Sequence, residues 1–359
     1  MIVYVCLSSH GFGHASRQAA VLMELHHLRP DWRLIVSSAV EPRFLKLALL
    51  GIPVELRCCQ WDVGVIQDDA LGVDLDSTLV ELKKLDMSLP ELIDKESDWL
   101  CSQQEQILII ADIPPSASLL ASKLGVSVIW MGNFGWDEIY KPFGSQFTRY
   151  SEAAFTAYKR GNILLRYPFS LAMNWGLPEI KLALTASRPR PLPEDFQNQL
   201  DSDLRPLVFI GFGGLGLSID SELFSCWPEH LFLMYPPTSR QAFLALDKLS
   251  NVLFIPPSVR SIDVMPFCSR LLGKPGFSTF CEALSQNLGL IVVERKDFAE
   301  VRSLMDGLRQ HGSHRTLTRI AFDQGQWDLD LALIEPSRGP LNCDGANLAA
   351  EAIVQSVMG

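Results

Sequence analysis

Two glycine-rich turns, one near each end of the chain, constrain the fold more than any other feature. Each turn follows an apolar run and opens a segment with helical spacing: residues 8–17 follow residues 2–7, and residues 274–284 (KPGFSTFCEAL) follow residues 270–272. A strand, a glycine-rich turn and a helix in this order are typical of open α/β sheets, where ligands bind beyond the carboxyl ends of the strands. The sequence therefore predicts two α/β domains that face each other across a cleft.

Apolar runs alternate with helical patterns along the rest of the chain, as in doubly wound parallel sheets. A proline-containing stretch of mixed charge at residues 185–205 interrupts the alternation and predicts an interdomain connection. We predict an N-terminal domain over residues 1–186, a second domain over 187–340 and a terminal helical segment over 341–359. Pro90 predicts a break in one long helical pattern, because proline removes a backbone donor.

The individual predicted elements follow from these patterns. Strands are predicted at residues 2–7, 33–37, 107–111, 127–131, 163–166, 207–210, 230–235, 252–255, 270–272 and 289–294. Helices are predicted at residues 16–28, 42–50, 78–102, 116–124, 145–160, 239–249, 259–267, 277–287, 299–311 and 345–358.

The second turn has the chemistry of an anion site. It places Gly276, Ser278 and Thr279 at or near a helix N-terminus, where unpaired N–H groups and a partial positive charge attract phosphate. Glu282 lies one helical turn further on, where a carboxylate can accept hydrogen bonds from two vicinal ribose hydroxyls. A helix capped by Ser278, with Glu282 in a capping-box-like role, explains the same residues without a ligand.

The first turn carries two histidines and an arginine. A hydroxyl group that acts as a nucleophile must lose its proton, and a histidine that titrates near neutral pH suits this step. His14 is the predicted base, and a hydrogen bond from it to a donor diphosphate is the alternative. Arg17 is expected to stabilise the leaving phosphate, and His10, Gly11 and Gly13 complete the turn. Either histidine could instead cap the turn.

Two carboxylates and a tryptophan follow later strands. Asp112 ends one predicted strand, and Trp136 and Asp137 follow the next. In a parallel sheet both strand ends point toward the same crevice. Trp136 is expected to stack on a sugar face, and Asp137 to act as a base or to bind acceptor hydroxyls. A helix N-cap is an equally good interpretation of Asp112.

Three strings together resemble a known family: HGFGHASR at residues 10–17, NFGWDEIY at 133–140 and KPGFSTFCEAL. They are similar to the glycosyltransferase-like domain at the N-terminus of plant L-arabinokinases and in bacterial stand-alone relatives. More distantly, they resemble the GT-B transferase that adds N-acetylglucosamine to the peptidoglycan lipid intermediate. The resemblance covers nearly the whole chain in motif order. Residues 213–218 lack the continuation of a galactokinase-type motif, so arabinokinase activity is not carried over.

The resemblance implies the GT-B fold: two Rossmann-like parallel-sheet α/β domains facing across a cleft. The second domain would hold most of the donor nucleotide, the first would hold the acceptor, and the terminal helix would cross back to the first. His14 matches the histidine that ends the glycine loop of the peptidoglycan enzyme. Asp137 belongs to a string that recurs in the resembled family.

Two further pairs are interpreted in the light of this resemblance. Asp297 and Glu300 stand near the place where many GT-B enzymes hold donor sugar hydroxyls, and a solvated helix start is the alternative. Gly213 and Gly214 belong to a GxGxxG string, but the next strand ends without the acidic residue of a dinucleotide site. We interpret them as close-approach glycines beside the donor, with a plain turn as the alternative. The predicted donor site comprises Gly213, Gly214, Lys274, Gly276, Ser278, Thr279, Glu282, Asp297 and Glu300.

Composition narrows the partners. A net charge of −10 over 359 residues provides no basic field for a nucleic-acid polymer. Eight cysteines without a Cys-x-x-Cys pair predict reduced thiols in a cytoplasmic protein. The Asp-x-Asp strings follow no convincing strand, so no metal and no other cofactor is predicted. No apolar run reaches the roughly 20 residues that span a bilayer. Residues 44–50 could form an apolar surface helix that contacts a membrane, and a helix packed on the sheet is the alternative.

Together these features predict a metal-independent glycosyltransferase, either hexosyl or pentosyl. It would move a sugar from a nucleoside diphosphate sugar, with a UDP-sugar preferred, to a hydroxyl-bearing acceptor that is a small molecule or lipid-linked. The alternatives are a nucleotide-sugar epimerase of the same fold and a non-catalytic nucleotide-sugar-binding protein. His10, His14 and Arg17 favour transfer, because a donor-binding module needs none of them.

Overall fold

The computed structural model describes residues 1–67, 72–213, 219–295 and 298–358. Within these residues the chain forms two parallel sheets, one of seven strands and one of six. The strands of the first sheet are β1 (Ile2–Leu7), β2 (Arg33–Ser37), β3 (Val54–Arg57), β4 (Ile107–Asp112), β5 (Val128–Gly132), β6 (Ile163–Arg166) and β7 (Glu179–Lys181). The strands of the second sheet are β8 (Leu207–Gly211), β9 (Leu231–Met234), β10 (Val252–Phe254), β11 (Arg270–Gly273), β12 (Gly289–Val293) and β13 (His314–Leu317).

Helices connect and cover both sheets. In the first half they are α1 (Gly13–Leu28), α2 (Pro42–Ala48), α3 (Leu75–Ser102), α4 (Ala117–Leu124), α5 (Trp136–Tyr140) and α6 (Thr148–Tyr158). In the second half they are α7 (Glu194–Asp201), α8 (Ser221–Ser225), α9 (Arg240–Leu246), α10 (Ser261–Val264), α11 (Phe277–Ser285), α12 (Glu300–His311), α13 (Arg319–Asp323) and α14 (Gly345–Met358).

The strand order reverses direction once in each sheet. The first sheet has the order β3-β2-β1-β4-β5-β6-β7, and the second has the order β10-β9-β8-β11-β12-β13. The chain therefore leaves β1 and β4 in opposite directions, and likewise β8 and β11. A crevice opens at the carboxyl ends of such strand pairs, which is where doubly wound proteins bind ligands.

Strand β1 shows why the sheet is buried on both faces. All six of its residues are buried. Val3 and Val5 face one apolar core, whereas Ile2 and Tyr4 face another. This burial explains the continuous apolar run of the sequence, because a parallel strand covered on both faces has no solvent side.

Helices α1, α11 and α14 join the two halves of the molecule. Gly13 starts α1, and its carbonyl accepts a hydrogen bond of 2.7 Å from the Ser278 hydroxyl on α11. A Cβ atom on Gly13 would lie 3.0 Å from that hydroxyl oxygen, so glycine allows the close approach. Helix α14, from the end of the chain, packs against α1.

Three departures from the predicted elements have simple causes. Helix α3 continues through Pro90, so the predicted break is wrong; buried residues on both sides of Pro90 hold the helix to the sheet. The predicted interdomain connection contains α7, whose apolar side buries Phe196 and Leu200. Strands β3, β7 and β13 were not predicted, because each is short and only partly buried.

No helix among the described residues is long and apolar enough to cross a membrane.

Candidate functional site

A buried histidine–carboxylate pair lies at the carboxyl ends of β1 and β4. His14 sits in the first turn of α1, and Asp112 is the last residue of β4. The His14 Nδ1 atom lies 2.8 Å from Asp112 Oδ1, and both side chains are buried. Arg17 Nη2 also lies 2.9 Å from this Nδ1 atom, but it is closer to Asp112 Oδ1, to which it donates. The carboxylate therefore favours the tautomer of His14 that carries its proton on Nδ1. The Nε2 atom of His14 is then left with a free lone pair, as a general base requires.

Two neighbours on α1 hold Asp112 in its ionised form. Arg17 donates from Nε to Asp112 Oδ2 at 2.7 Å and from Nη2 to Asp112 Oδ1. Gln18 donates to Oδ2 at 2.8 Å. Burial by itself would raise the pKa of Asp112, but the charge and hydrogen bonds of Arg17 outweigh it and lower the pKa to about 2. Asp112 is therefore anionic at neutral pH, and its interpretation as a helix N-cap is wrong, because Ser116 precedes α4.

The role predicted for Arg17 on the leaving phosphate requires correction. Arg17 is only 2% exposed, and its Nη1 atom donates to the Asn133 side chain at 2.8 Å. Its guanidinium also stacks on the rings of Tyr167 and Phe277. With every guanidinium nitrogen engaged inside the protein, Arg17 positions Asp112 rather than facing the cleft.

His10 occupies the same turn but carries its proton on the other ring nitrogen. Its Nδ1 atom accepts a hydrogen bond of 3.3 Å from the backbone N–H of Val65. Burial, together with the charges of His14, Arg295 and Lys274, lowers its pKa to about 3. His10 is therefore neutral with its proton on Nε2, so it can donate a hydrogen bond but cannot act as a base.

The second turn lies at the carboxyl ends of β8 and β11. Gly276 is the N-cap of α11, and the N–H of Phe280 is bonded to the Gly276 carbonyl, so the preceding N–H groups point out of the helix end. Gly213 has a φ of +79°, and a Cβ atom there would lie 3.5 Å from the Lys274 side chain. The turns after β8 and β11 thus meet beside the N-terminus of α11, which is a favourable place for an anion. Thr279, on the same helix end, is half-buried.

Glu282 lies one turn inside α11 and is 9% exposed. Burial raises its pKa to about 7, although the charge of Arg260 acts in the opposite direction. A buried carboxylate of this kind gains from hydrogen-bond donors that a ligand supplies. The interpretation of Ser278 as a helix cap is wrong. Its hydroxyl donates a hydrogen bond to the Gly13 carbonyl on α1 and makes no bond to the N-terminus of its own helix.

A second hydrogen bond between the two halves of the chain lies at the site. Asn133, which follows β5, donates from Nδ2 to Glu300 Oε1 at 2.6 Å. Burial raises the pKa of Glu300. Glu300 therefore faces the Arg17–Asn133 network, and this contact was not anticipated when Glu300 was assigned to the donor sugar.

Asp137 and Trp136 lie deeper than predicted. Trp136 is fully buried, packed edge-on against His10 and stacked on Tyr140, so it has no face for a sugar. The Asp137 Oδ2 atom accepts a hydrogen bond of 3.1 Å from Trp175 Nε1, and burial raises the pKa of Asp137 to about 6. Because Trp136 is fully buried, the stacking role predicted for it is wrong. The base role of Asp137 stays a prediction.

Gly214 and Asp297 lie outside the described residues. Among the described residues, no group of three His, Cys, Asp or Glu side chains is arranged to hold a metal ion. The Asp-x-Asp strings serve local structure: Asp74 caps α3, Asp203 pairs with Arg205, and Asp328 pairs with Arg315.

Sequence reasoning missed three residues of this site. Gln18 and Asn133 bond to Asp112 and Arg17, and Phe298 stacks on His10 with the ring centroids 5.9 Å apart. Asn133 carried a usable signal, because it is the first polar side chain after a predicted strand. Gln18 and Phe298 carried none, since glutamine on a helix and phenylalanine in a loop are ordinary.

Two parallel sheets, each with a crevice where its strand order reverses, define a two-domain α/β class of protein. No family model matches the chain. The chain is 24% identical over 365 residues to an L-arabinokinase of Arabidopsis thaliana, and the alignment covers 98% of this chain and 34% of that protein. The resemblance to L-arabinokinases is confirmed at this level, and the chain spans about a third of the relative's length. The resemblance to the peptidoglycan enzyme stays a prediction.

Solved structures identify the fold. Medicago truncatula UGT71G1, complexed with UDP-glucose, matches with a TM-score of 0.65 at 12% identity, over 100% of this chain and 98% of that one. A UDP-glucose: anthocyanidin 3-O-glucosyltransferase in complex with UDP matches with a TM-score of 0.62 at 13% identity, over 100% and 95% of the two chains. The predicted GT-B fold is therefore confirmed.

Proposed function

We propose that this protein transfers a sugar from a UDP-sugar to an acceptor hydroxyl. One observation carries the proposal: the His14–Asp112 pair lies at the crevice of the first sheet, and the second sheet presents a helix N-terminus with Glu282 one turn behind. Glycosyl transfer needs a base for the acceptor hydroxyl and a binding site for the donor nucleotide, and the two sheets would supply one each. The solved structures named above contain UDP or UDP-glucose, which supports uracil as the donor base.

The reaction follows from the protonation states. The acceptor oxygen attacks the anomeric carbon of the donor sugar, and its proton passes to His14 Nε2. The bond from the anomeric carbon to the diphosphate oxygen breaks, and its electron pair leaves with UDP. Asp112 remains ionised and stabilises the imidazolium that forms, as a buried carboxylate does in other histidine–aspartate pairs.

Fixed hydrogen-bond donors, one of them cationic, stabilise the leaving diphosphate. These are the N–H groups at the start of α11, the ammonium of Lys274 and the Nε2–H of neutral His10. Since these groups supply the charge that a divalent cation supplies elsewhere, we propose that transfer proceeds without a metal. Glu282 would accept hydrogen bonds from the ribose hydroxyls.

Nucleotide binding is the direct test of this proposal. Thermal unfolding is measured with UDP, GDP, dTDP and ADP, for the wild type, Glu282→Ala and the exposed control Glu229→Ala. A ligand at 100 times its Kd stabilises the fold by about 2.7 kcal/mol, which gives a clear shift in Tm. UDP is expected to stabilise the wild type and the control, and to stabilise Glu282→Ala much less. Equal stabilisation of all three proteins, or none with any nucleotide, would contradict the proposal.

A further inference from the structure

No step proposed above uses a large cavity that lies between the two halves of the chain. Its volume is about 980 Å³. Val73, Leu75 and Phe143 line it from the first half of the chain. Residues of α12, together with Arg295 and Phe298, line it from the second. A volume of this size accommodates a ligand larger than a monosaccharide, since pockets for small molecules span about 300–1,000 Å³.

The cavity is positively charged. Among its described lining residues, the ionisable ones are Arg295, Arg302, Arg309 and Glu294. The chain as a whole carries a net charge of −10, so three arginines against one glutamate is a local reversal of sign. A cleft lined by one sign of charge concentrates ligands of the opposite sign.

Two of the arginines, Arg302 and Arg309, lie along one side of α12. Arg302 and Arg309 are two helical turns apart, a rise of about 10 Å, and Met305 lies between them on the same wall. Arg309 also pairs with Asp306 at 2.9 Å, but both side chains are more than half exposed, so a ligand can displace this pair at little cost. Arg295 is buried and its guanidinium lies 4.4 Å from the centroid of the Phe298 ring.

The cavity adjoins the proposed reaction centre. Pro275 lines it and immediately precedes Gly276, the N-cap of α11. Phe298 lines it as well, and its ring stacks on His10. A molecule in the cavity can therefore contact residues beside the donor site as well as Arg302 and Arg309.

We propose that this cavity binds the acceptor and that the acceptor is an anion, with a phosphate or a carboxylate held by Arg302 and Arg309. Its hydroxyl is the nucleophile, and its anionic group takes no part in bond making. The apolar wall formed by Val73, Leu75 and Phe143 receives the rest of the molecule. This inference rests on the proposed function and adds the chemical class of the acceptor.

Calorimetric titration tests the inference with defined probes. The protein is first titrated with UDP, and the UDP complex is then titrated with glucose 6-phosphate, glucuronate or glucose. We expect at least one of the two anions to bind ten-fold or more tightly than glucose. The double variant R302Q/R309Q should lose this preference, and the matched variant R240Q, an exposed arginine on α9, should keep it. The stronger anion identifies the group as phosphate or carboxylate.

The outcomes separate the two proposals. Absence of UDP binding in the first titration contradicts the proposed function, and the anion titrations are then interpreted on the free protein. UDP binding with no preference for either anion over glucose overturns the acceptor assignment alone. The same conclusion follows if R302Q/R309Q binds the anions as tightly as the wild type while binding UDP normally.

Discussion

At the scale of single residues, an arginine and a glutamine on α1 both bind the buried carboxylate of Asp112. Arg17 and Gln18 together donate three hydrogen bonds to Asp112, which in turn fixes His14 through Nδ1. An unpaired buried carboxylate would take up a proton, and a protonated Asp112 could not stabilise an imidazolium. Arg17, which the sequence suggested as a phosphate ligand, therefore positions Asp112 and does not contact the reacting groups.

Replacing Asp112 by asparagine tests this dependence. We expect kcat for sugar transfer to fall by about 10²–10⁴-fold, because an amide does not stabilise the imidazolium and can favour the wrong tautomer of His14. Affinity for UDP should change little, since Asp112 lies on the other sheet. The control is Asp94→Asn, an exposed position on α3. A variant with wild-type kcat would contradict the role of Asp112. Circular dichroism verifies folding, because the change leaves Arg17 with a weaker partner.

The pKa of Glu282 predicts how nucleotide affinity depends on pH. Burial raises this pKa to about 7 in the free protein, and ribose hydroxyls donate to the ionised form. Affinity for UDP should therefore rise as the pH increases toward 7 and level off above it. Glu282→Gln should remove this component and leave only the titration of UDP itself. Calorimetry between pH 5.5 and 8.5 compares the two proteins, and parallel curves would count against the assignment.

Sequence reasoning located these residues better than it assigned their roles. Glycine-rich turns between a strand and a helix indicated His14 and Glu282, and a carboxylate at the end of a strand indicated Asp112. Whether a side chain turns toward the cleft or into the protein depends on contacts far apart in the chain. Arg17 binds Asp112, and Trp136 packs against Tyr140 and His10. These contacts bury the side chains of Arg17 and Trp136.

At the scale of elements, the central strands were predictable because they are buried on both faces. The observed bounds of β1, β2 and β6 equal the predicted ones. Edge strands such as β3 and β7 have mixed burial and weak patterns, and their pairing depends on a neighbour already in place. Helix α3 likewise depends on tertiary packing, because its buried residues on both sides of Pro90 keep it helical despite the proline.

Pro90 leads to a stability prediction. Its side chain is exposed, and its ring removes one backbone hydrogen bond from the interior of α3. Pro90→Ala should raise the free energy of unfolding by about 1 kcal/mol or more, since alanine restores the donor and the helix propensity. Met87→Ala, at an exposed position on the same helix, should change it by less than about 0.5 kcal/mol. Urea denaturation measures both variants, and a less stable Pro90→Ala protein would contradict the prediction.

At the scale of the whole molecule, the candidate site depends on both sheets. The Ser278–Gly13 and Asn133–Glu300 hydrogen bonds link them beside the cleft. The GT-B arrangement was inferred from three strings in order along the chain, whereas these contacts depend on how the two halves meet. The domain boundaries near residues 186 and 340 stay predictions.

Release of UDP from UDP-sugars tests the central claim most directly. Water can replace an unidentified acceptor, so the wild type should release UDP slowly from at least one UDP-hexose or UDP-pentose. His14→Ala should reduce this rate about 100-fold or more while its Kd for UDP stays unchanged, and His27→Ala, an exposed control on α1, should behave as the wild type. Release at the wild-type rate by His14→Ala, or no release from any UDP-sugar by a protein that binds UDP, would contradict the account.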